Sequence, residues 1–278
     1  MITRSEKHLM KPWQSIVLLI FGLFVAITGI VTWWYWDEPL ASPLTNSSAF
    51  RFFRDVQIIN QKPHVVYGFL PYWNLKKVTL QPELTHVGYF GLDILPDGNV
   101  QLRDGGAETP GYTGLKSEEL LEIGQELAAN NGRLELVFTQ FYGNDITAFL
   151  NSPKAQDQFL SVLDTIILAY PISGVNIDIE PSGIAITDEL RANYVTFVTK
   201  VRQHLNARYD EVPLTIDVYA SASSNTQIWD IPRLAPVVDY VIVMAYDYHR
   251  RSSVQAGPVA PIFGGETIFA IADIVLDH

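Results

Sequence analysis

Three polar side chains stand at alternate positions in Gly174-Val175-Asn176-Ile177-Asp178-Ile179-Glu180: an amide at Asn176 and carboxylates at Asp178 and Glu180. The residues between them, Val175, Ile177 and Ile179, are β-branched, which gives the stretch the period-2 pattern of a strand. Side chains two apart on a strand share a face at about 6–7 Å. Asp178 and Glu180 therefore lie together near the strand's C-terminal end, where parallel α/β folds keep their reactive groups. Adjacent carboxylates raise each other's pKa, and such a pair can divide acid from base work. A lone Asp-x-Glu is more often a solvated or salt-bridged strand end. Here a helical pattern ends at Tyr170 and another begins near Thr187, so the strand is a buried crossover strand. Three inward polar residues on such a strand are costly unless they have a task.

The elements that must position this strand follow from periodicity. Strand patterns run over His64–Leu70, Thr85–Leu92, Leu134–Phe138, Gly174–Ile179, Leu214–Tyr219 and Tyr240–Ala245. Helical patterns cover Ser117–Asn130, with Ser117 as N-cap and Gly132 as stop, then Lys154–Tyr170 and Thr187–Asn206. Strands alternating with helices predict a parallel α/β fold, and the number of units favours a (β/α)8 TIM barrel over a doubly wound sheet. The expected barrel domain is 63–278. It holds six strands and ends within a helical pattern over Glu266–Asp277, so the expectation is a barrel incomplete at its C-terminal side.

The preceding chain reads differently. Residues 1–12 are basic on balance, with Arg4, Lys7 and Lys11 against Glu6. No charge occurs from Pro12 to Trp36, and Ile16–Val31 is almost wholly apolar. Trp13 stands at one end and Trp33-Trp34-Tyr35-Trp36 at the other, as interface anchors do. The expectation is an uncleaved transmembrane signal-anchor helix over 13–36, since a cleavable signal would have a shorter apolar region and a small-residue cleavage site. Basic residues before it, with Asp37 and Glu38 after it, put the N-terminus in the cytoplasm and the barrel outside. Residues 37–62, broken by Pro39, Pro43 and Ser47, read as a linker. A formal charge of −11 argues against nucleic acid as partner, and the absence of cysteine excludes disulfides and thiolate chemistry.

The strand Ser173–Glu180, S-G-V-N-I-D-I-E, resembles the fourth strand of the family 18 glycoside hydrolases, whose pattern is D-G-x-D-x-D-x-E. Met244-Ala245-Tyr246-Asp247 resembles that family's M-x-Y-D at the end of its sixth strand. Tyr67-Gly68-Phe69-Leu70-Pro71-Tyr72-Trp73 is similar to its first strand and aromatic exit, and Thr85–Phe90 followed by Pro96-Asp97-Gly98 to its second strand and turn. The matches occur in family order over about residues 64–265. The resemblance implies a retaining glycosidase acting on β-1,4 linkages of N-acetylglucosamine-containing glycans, peptidoglycan or chitin, with no cofactor and no metal. Glu180 would be the general acid. The substrate's own 2-acetamido carbonyl would replace a protein nucleophile. Asp178 would orient the acetamide through its N–H, and Tyr246 and Asp247 would hold it from the sixth strand. Met244, Tyr72 and Trp73 would line the sugar site.

Two positions depart from the family pattern. Ser173 replaces an Asp of structural role. Asn176 replaces the middle Asp, which exchanges a hydrogen bond with the residue at 178; an amide can still bond there but cannot ionise. The G-V-N-I-D-x-E form resembles the bacterial spore-germination and cell-wall-lytic branch, so Asn176 marks a subgroup, and Asn176→Asp is expected to displace the pH profile and leave activity. The alternative is a catalytically silent, lectin-type carbohydrate-binding member; those usually lose the Glu that is present here as Glu180. A Schiff-base or phosphate-binding barrel is disfavoured because none of the six strand patterns contains lysine. His249 and Arg250-Arg251 read as surface groups, and Gly105-Gly106 and Gly264-Gly265 as turns.

Overall fold

The computed structural model describes residues 65–222, 227–246, 248, 249 and 253–260, together with Gly22 and Ile27. The predicted transmembrane segment 13–36, the linker 37–62 and the helical pattern Glu266–Asp277 lie outside these residues, save for Gly22 and Ile27, which are helical. Among the described residues no helix is long and apolar enough to cross a membrane. Gly22 and Ile27 apart, the described residues belong to one unit that starts at Val65.

Six strands form one parallel sheet: β1 (Tyr67–Pro71), β2 (His86–Asp93), β5 (Arg133–Tyr142), β6 (Gly174–Ser182), β7 (Leu214–Tyr219) and β8 (Tyr240–Met244), paired in that order. A short antiparallel hairpin, β3 (Arg103–Asp104) and β4 (Ala107–Glu108), turns on Gly105 and Gly106 at φ 56° and 88°, which only glycine adopts readily. The helices are α1 (Pro110–Leu115), α2 (Glu118–Ala129), α3 (Gly143–Leu150), α4 (Pro153–Ala169), α5 (Asp188–Arg208) and α6 (Ile231–Leu234). Each predicted strand, and each of the three long helices predicted within the described residues, is found within a few residues of its expected limits. The largest difference is β5, which continues past Phe138 to Tyr142 because Thr139 and Gln140 still pair with β6. The hairpin, α1, α3 and α6 are too short for periodicity to reveal.

The outer face of the sheet is apolar. Leu134, Leu136 and Phe138 of β5, Val175, Ile177 and Ile179 of β6, and Leu214, Ile216 and Val218 of β7 are all fully buried. Against them pack Phe149, Phe159 and Phe197 from α3, α4 and α5, whose rings meet Phe138 and one another edge-on at 4.9–6.1 Å. Hydroxyl caps fix where the helices begin: Ser117, Ser152 and Thr187 accept from the backbone N–H of Leu120, Ala155 and Leu190. Each such cap is worth about 1 kcal/mol.

The sheet is strongly curled. Tyr67 of β1 hydrogen-bonds Asn176 of β6 although two strands separate them, and the His86 ring of β2 meets the Tyr240 ring of β8 edge-on at 5.2 Å. A flat sheet would hold β1 and β6 about 14 Å apart. The curl turns the inner face into an enclosed interior, and that interior is polar.

Candidate active site

The predicted alternation places Asn176, Asp178 and Glu180 on the inner face of β6. Asn176 is fully enclosed, Asp178 is 3% exposed, and Glu180 is partly open at the strand's C-terminal end. Burial pushes the Asp178 carboxyl well above the usual carboxylate range, helped by the charge of Asp217 and by Glu180, to which it is hydrogen-bonded. A proton is thus retained on the hydrogen-bonded Asp178–Glu180 pair well above the usual carboxylate range. Asp178 Oδ1 and the Oδ1 of Asn176 are buried and have no hydrogen-bond partner among the described residues.

Below the pair lies a network that the sequence reasoning missed. Glu135 of β5 is fully buried and accepts a hydrogen bond from Tyr67 Oη at 3.0 Å. Asn176 Nδ2 donates to Tyr67 Oη at 3.2 Å and to Asp217 Oδ1 of β7 at 3.0 Å. Burial pushes Glu135 up to about 8, the Tyr67 bond only partly opposing it, and the Tyr67 phenol is raised by burial and by the charges of Glu135 and Asp217. Asp217, 1% exposed, is also raised by burial, with the Asn176 bond opposing and Glu180 adding to the rise. Two glycines make room for these groups. A methyl at Gly88 would stand 2.5 Å from the Tyr67 hydroxyl, and one at Gly174 would stand 2.5 Å from Glu135 Cγ. A signal for the missed acids was present. Glu135 sits between Leu134 and Leu136, and Asp217 between Ile216 and Val218, so each is the one acid within an otherwise largely apolar strand pattern.

The remaining predicted residues are placed as follows. Tyr72 and Trp73 open a 3-10 helix, Tyr72–Lys77, directly after β1. Tyr72 is half-buried against the core, whereas Trp73 is 57% exposed. Their rings meet edge-on at 4.8 Å; Trp73 meets Phe90 of β2 at 6.3 Å, and Phe90 stacks over Phe141 of β5 at 6.5 Å. An aromatic row thus crosses the C-terminal ends of three strands. A cavity of 390 Å³ beside it is lined by Tyr72, Gly91, Asp93, Asp104, Glu108 and Thr109, among others. Its Asp93 hydrogen-bonds Thr139, the β5 residue in register with Asp178. Met244 is buried at the end of β8, and Tyr246, two residues on, is half-exposed. Asp247 lies outside the described residues. His249 Nδ1 bonds the Pro258 carbonyl at 2.9 Å in an exposed loop. Ser173 has the structural role expected of its position, accepting from Leu134 N–H at 2.9 Å and so clipping β6 to β5.

Known proteins bear on this arrangement. The chain is 33% identical over 116 residues to the putative sporulation-specific glycosylase YdhD of Bacillus subtilis, a match covering 41% of this chain and 26% of that protein. It is 23% identical over 135 residues to probable chitinase 10 of Drosophila melanogaster, covering 46% of this chain and 6% of the relative. The matched part is therefore a minor fraction of both relatives. Among solved structures, a Group IV chitinase of Ostrinia furnacalis in complex with allosamidin superposes with a TM-score of 0.65 at 18% identity, over 77% of this chain and 61% of the other. A mutant chitinase of Cycas revoluta in complex with (GlcNAc)4 gives 0.63 at 16% identity, over 77% and 64%. At such identities these structures establish the fold: the curled sheet is the corresponding part of a TIM barrel. The sequence profile of the Glycosyl hydrolases family 18 matches residues 31–277, nearly the whole chain and all six strands of the parallel sheet, and the chain belongs to that family.

Proposed function

We propose that this protein is a retaining glycosidase that cleaves β-1,4 bonds beside N-acetylglucosamine in peptidoglycan or chitin. In this reading the segment 13–36 anchors it in a membrane and the barrel faces away from the cytoplasm. The observation that carries the catalytic part is the hydrogen-bonded Asp178–Glu180 pair, with one member buried and its carboxyl raised, and the other open at the strand end. The names of the relatives, a putative glycosylase and chitinases, one with (GlcNAc)4 bound, support the substrate class.

The chemistry follows from the pair. Asp178 Oδ1 is a buried acceptor with no partner among the described residues, suited to a substrate acetamide N–H. Such a donor favours the ionised form of Asp178, so the proton of the pair passes to Glu180. Glu180 then protonates the glycosidic oxygen while the acetamide carbonyl oxygen attacks the anomeric carbon, and the bond to the leaving sugar breaks. Ionised Asp178 stabilises the positive oxazolinium ring. Glu180, now a carboxylate, takes a proton from water; the water oxygen bonds to the anomeric carbon from the leaving-group face, and the ring reopens with retained configuration. Tyr246 and Asp247 would hold the acetamide, and Trp73 would stack on a pyranose face.

The test is an assay of the full-length protein and Glu180→Gln on a fluorogenic di-N-acetylchitobioside and on purified peptidoglycan. Turnover that falls at least about 1,000-fold in the variant is expected, since both steps pass through this carboxyl. Glycan binding without turnover in the parent protein would replace the reading with the lectin-type one, and neither binding nor turnover would remove both.

A further inference from the structure

We propose that Asp217 on β7 is a positioning carboxylate of this site: it holds the Asn176 amide and supplies, from the neighbouring strand, the negative charge that the chain lacks at position 176. The proposal rests on the glycosidase reading above but concerns a residue outside the family motif. Three observations carry it. Asn176 Nδ2 commits one N–H to Asp217 Oδ1 at 3.0 Å and the other to Tyr67, so the amide is a donor fitted between a carboxylate and a phenol. Asn176 pairs with Thr215, and by the same register Asp217 stands level with Asp178. Asp217 is 1% exposed, in an interior where an acid without a partner would be strongly disfavoured. An acid at 176 would meet Asp217 as a second buried carboxyl; an amide meets it as a donor. The substitution at 176 and the acid at 217 are therefore complementary halves of one contact.

The groups around Asp217 fix the sign of its effect. Facing it are Tyr67 of β1, Glu135 of β5, Asn176, Asp178 and Glu180 of β6, and Tyr194 of α5. On β8 its register partner is Ile242, and Tyr240–Met244 contains no charge. None of these groups is a cation. A negative charge at 217 therefore raises the proton affinity of the Asp178–Glu180 pair, which keeps the general acid protonated to higher pH.

The experiment exchanges acid and amide across the contact. The pH dependence of kcat/KM is measured for the full-length protein, Asp217→Asn, Asn176→Asp and the double variant N176D/D217N. The alkaline limb is expected to fall by about one pH unit in Asp217→Asn, as loss of one nearby buried charge requires. In Asn176→Asp, where two carboxyls share a proton, it does not fall. In the double variant it returns to within a few tenths of a unit of the parent, because the same charge is present one strand away. A purely structural Asp217 would instead give a lower rate with an unmoved limb, and a double variant no better than the singles combined; that result overturns the proposal. If Asp217→Asn fails to fold, the comparison of Asn176→Asp with the double variant reads the same charge. Should the parent show no turnover, the glycosidase reading fails separately, and 13C NMR of Cγ-labelled Asp decides the present one. The Asp178 resonance, assigned by its loss in Asp178→Asn, must then titrate at lower pH in Asp217→Asn and recover in the exchange; an unmoved titration overturns the proposal.

Discussion

Four carboxyl groups, Glu135, Asp178, Glu180 and Asp217, face the inner side of the curled sheet beside phenols and amides, and no cation is among the groups that shift Glu135, Asp178 and Asp217. Such a set cannot be fully ionised, and its protons are what the proposed chemistry would draw on. The arrangement also links folding to pH. Glu135, pushed up to about 8 by burial, binds its proton more tightly folded than unfolded, where a glutamate titrates near 4.3. Its stabilising protonation is fully present below that unfolded value and is lost as pH rises toward 8. The melting temperature of the protein is therefore expected to decline between pH 5 and pH 8, and Glu135→Gln to flatten the decline by several degrees. A slope in Glu135→Gln equal to that of the parent would show that Glu135 is not the group responsible. Asp178 and Asp217 are shifted in the same direction and leave part of the slope in the variant.

At the level of the elements, β6 is the hub, and the residues at its N-terminal end serve its placement. The Ser173 hydroxyl takes the Leu134 N–H, and Gly174 leaves the space that Glu135 occupies. Ser173→Ala is expected to destabilise the fold by about 1 kcal/mol, the net worth of one such bond, with kcat unchanged. Urea unfolding beside a turnover assay checks this, and a fall in kcat at full folding would give Ser173 a role in the reaction. This strand was legible because three polar residues in succession break an apolar pattern in one place. Glu135 and Asp217 are each the only acid in their strand patterns, and a single acid in a short strand looks like an edge or a strand end until its neighbours are known. What makes them site residues is the partner on another strand, Tyr67 for one and Asn176 for the other, and alternation along one segment carries no information about that. The helices with Ser or Thr caps and long apolar stripes were legible for the opposite reason, since cap and stripe are both local.

For the molecule as a whole, the order of β/α units was readable from the sequence because each unit declares itself within about thirty residues. The curl was readable from the number of β/α units, which favours a barrel over an open sheet, but the contacts that close it lie between distant strands and were not. One of those contacts bears on how the protein comes into being. The Tyr67–Asn176 bond joins residues 109 apart in the chain, and the Tyr67–Glu135 bond joins residues 68 apart. The loops they close are long, whereas α4 and α5 need only neighbours to form. The reactive pair of β6 thus acquires its supporting phenol after most helical structure is in place. On refolding from urea, ellipticity should return before turnover does; simultaneous recovery would mean that β1 docks as early as the helices form. On the glycosidase reading proposed above, the same delay would leave the nascent chain without hydrolytic capacity until its strands have met, a form of timing written into chain topology.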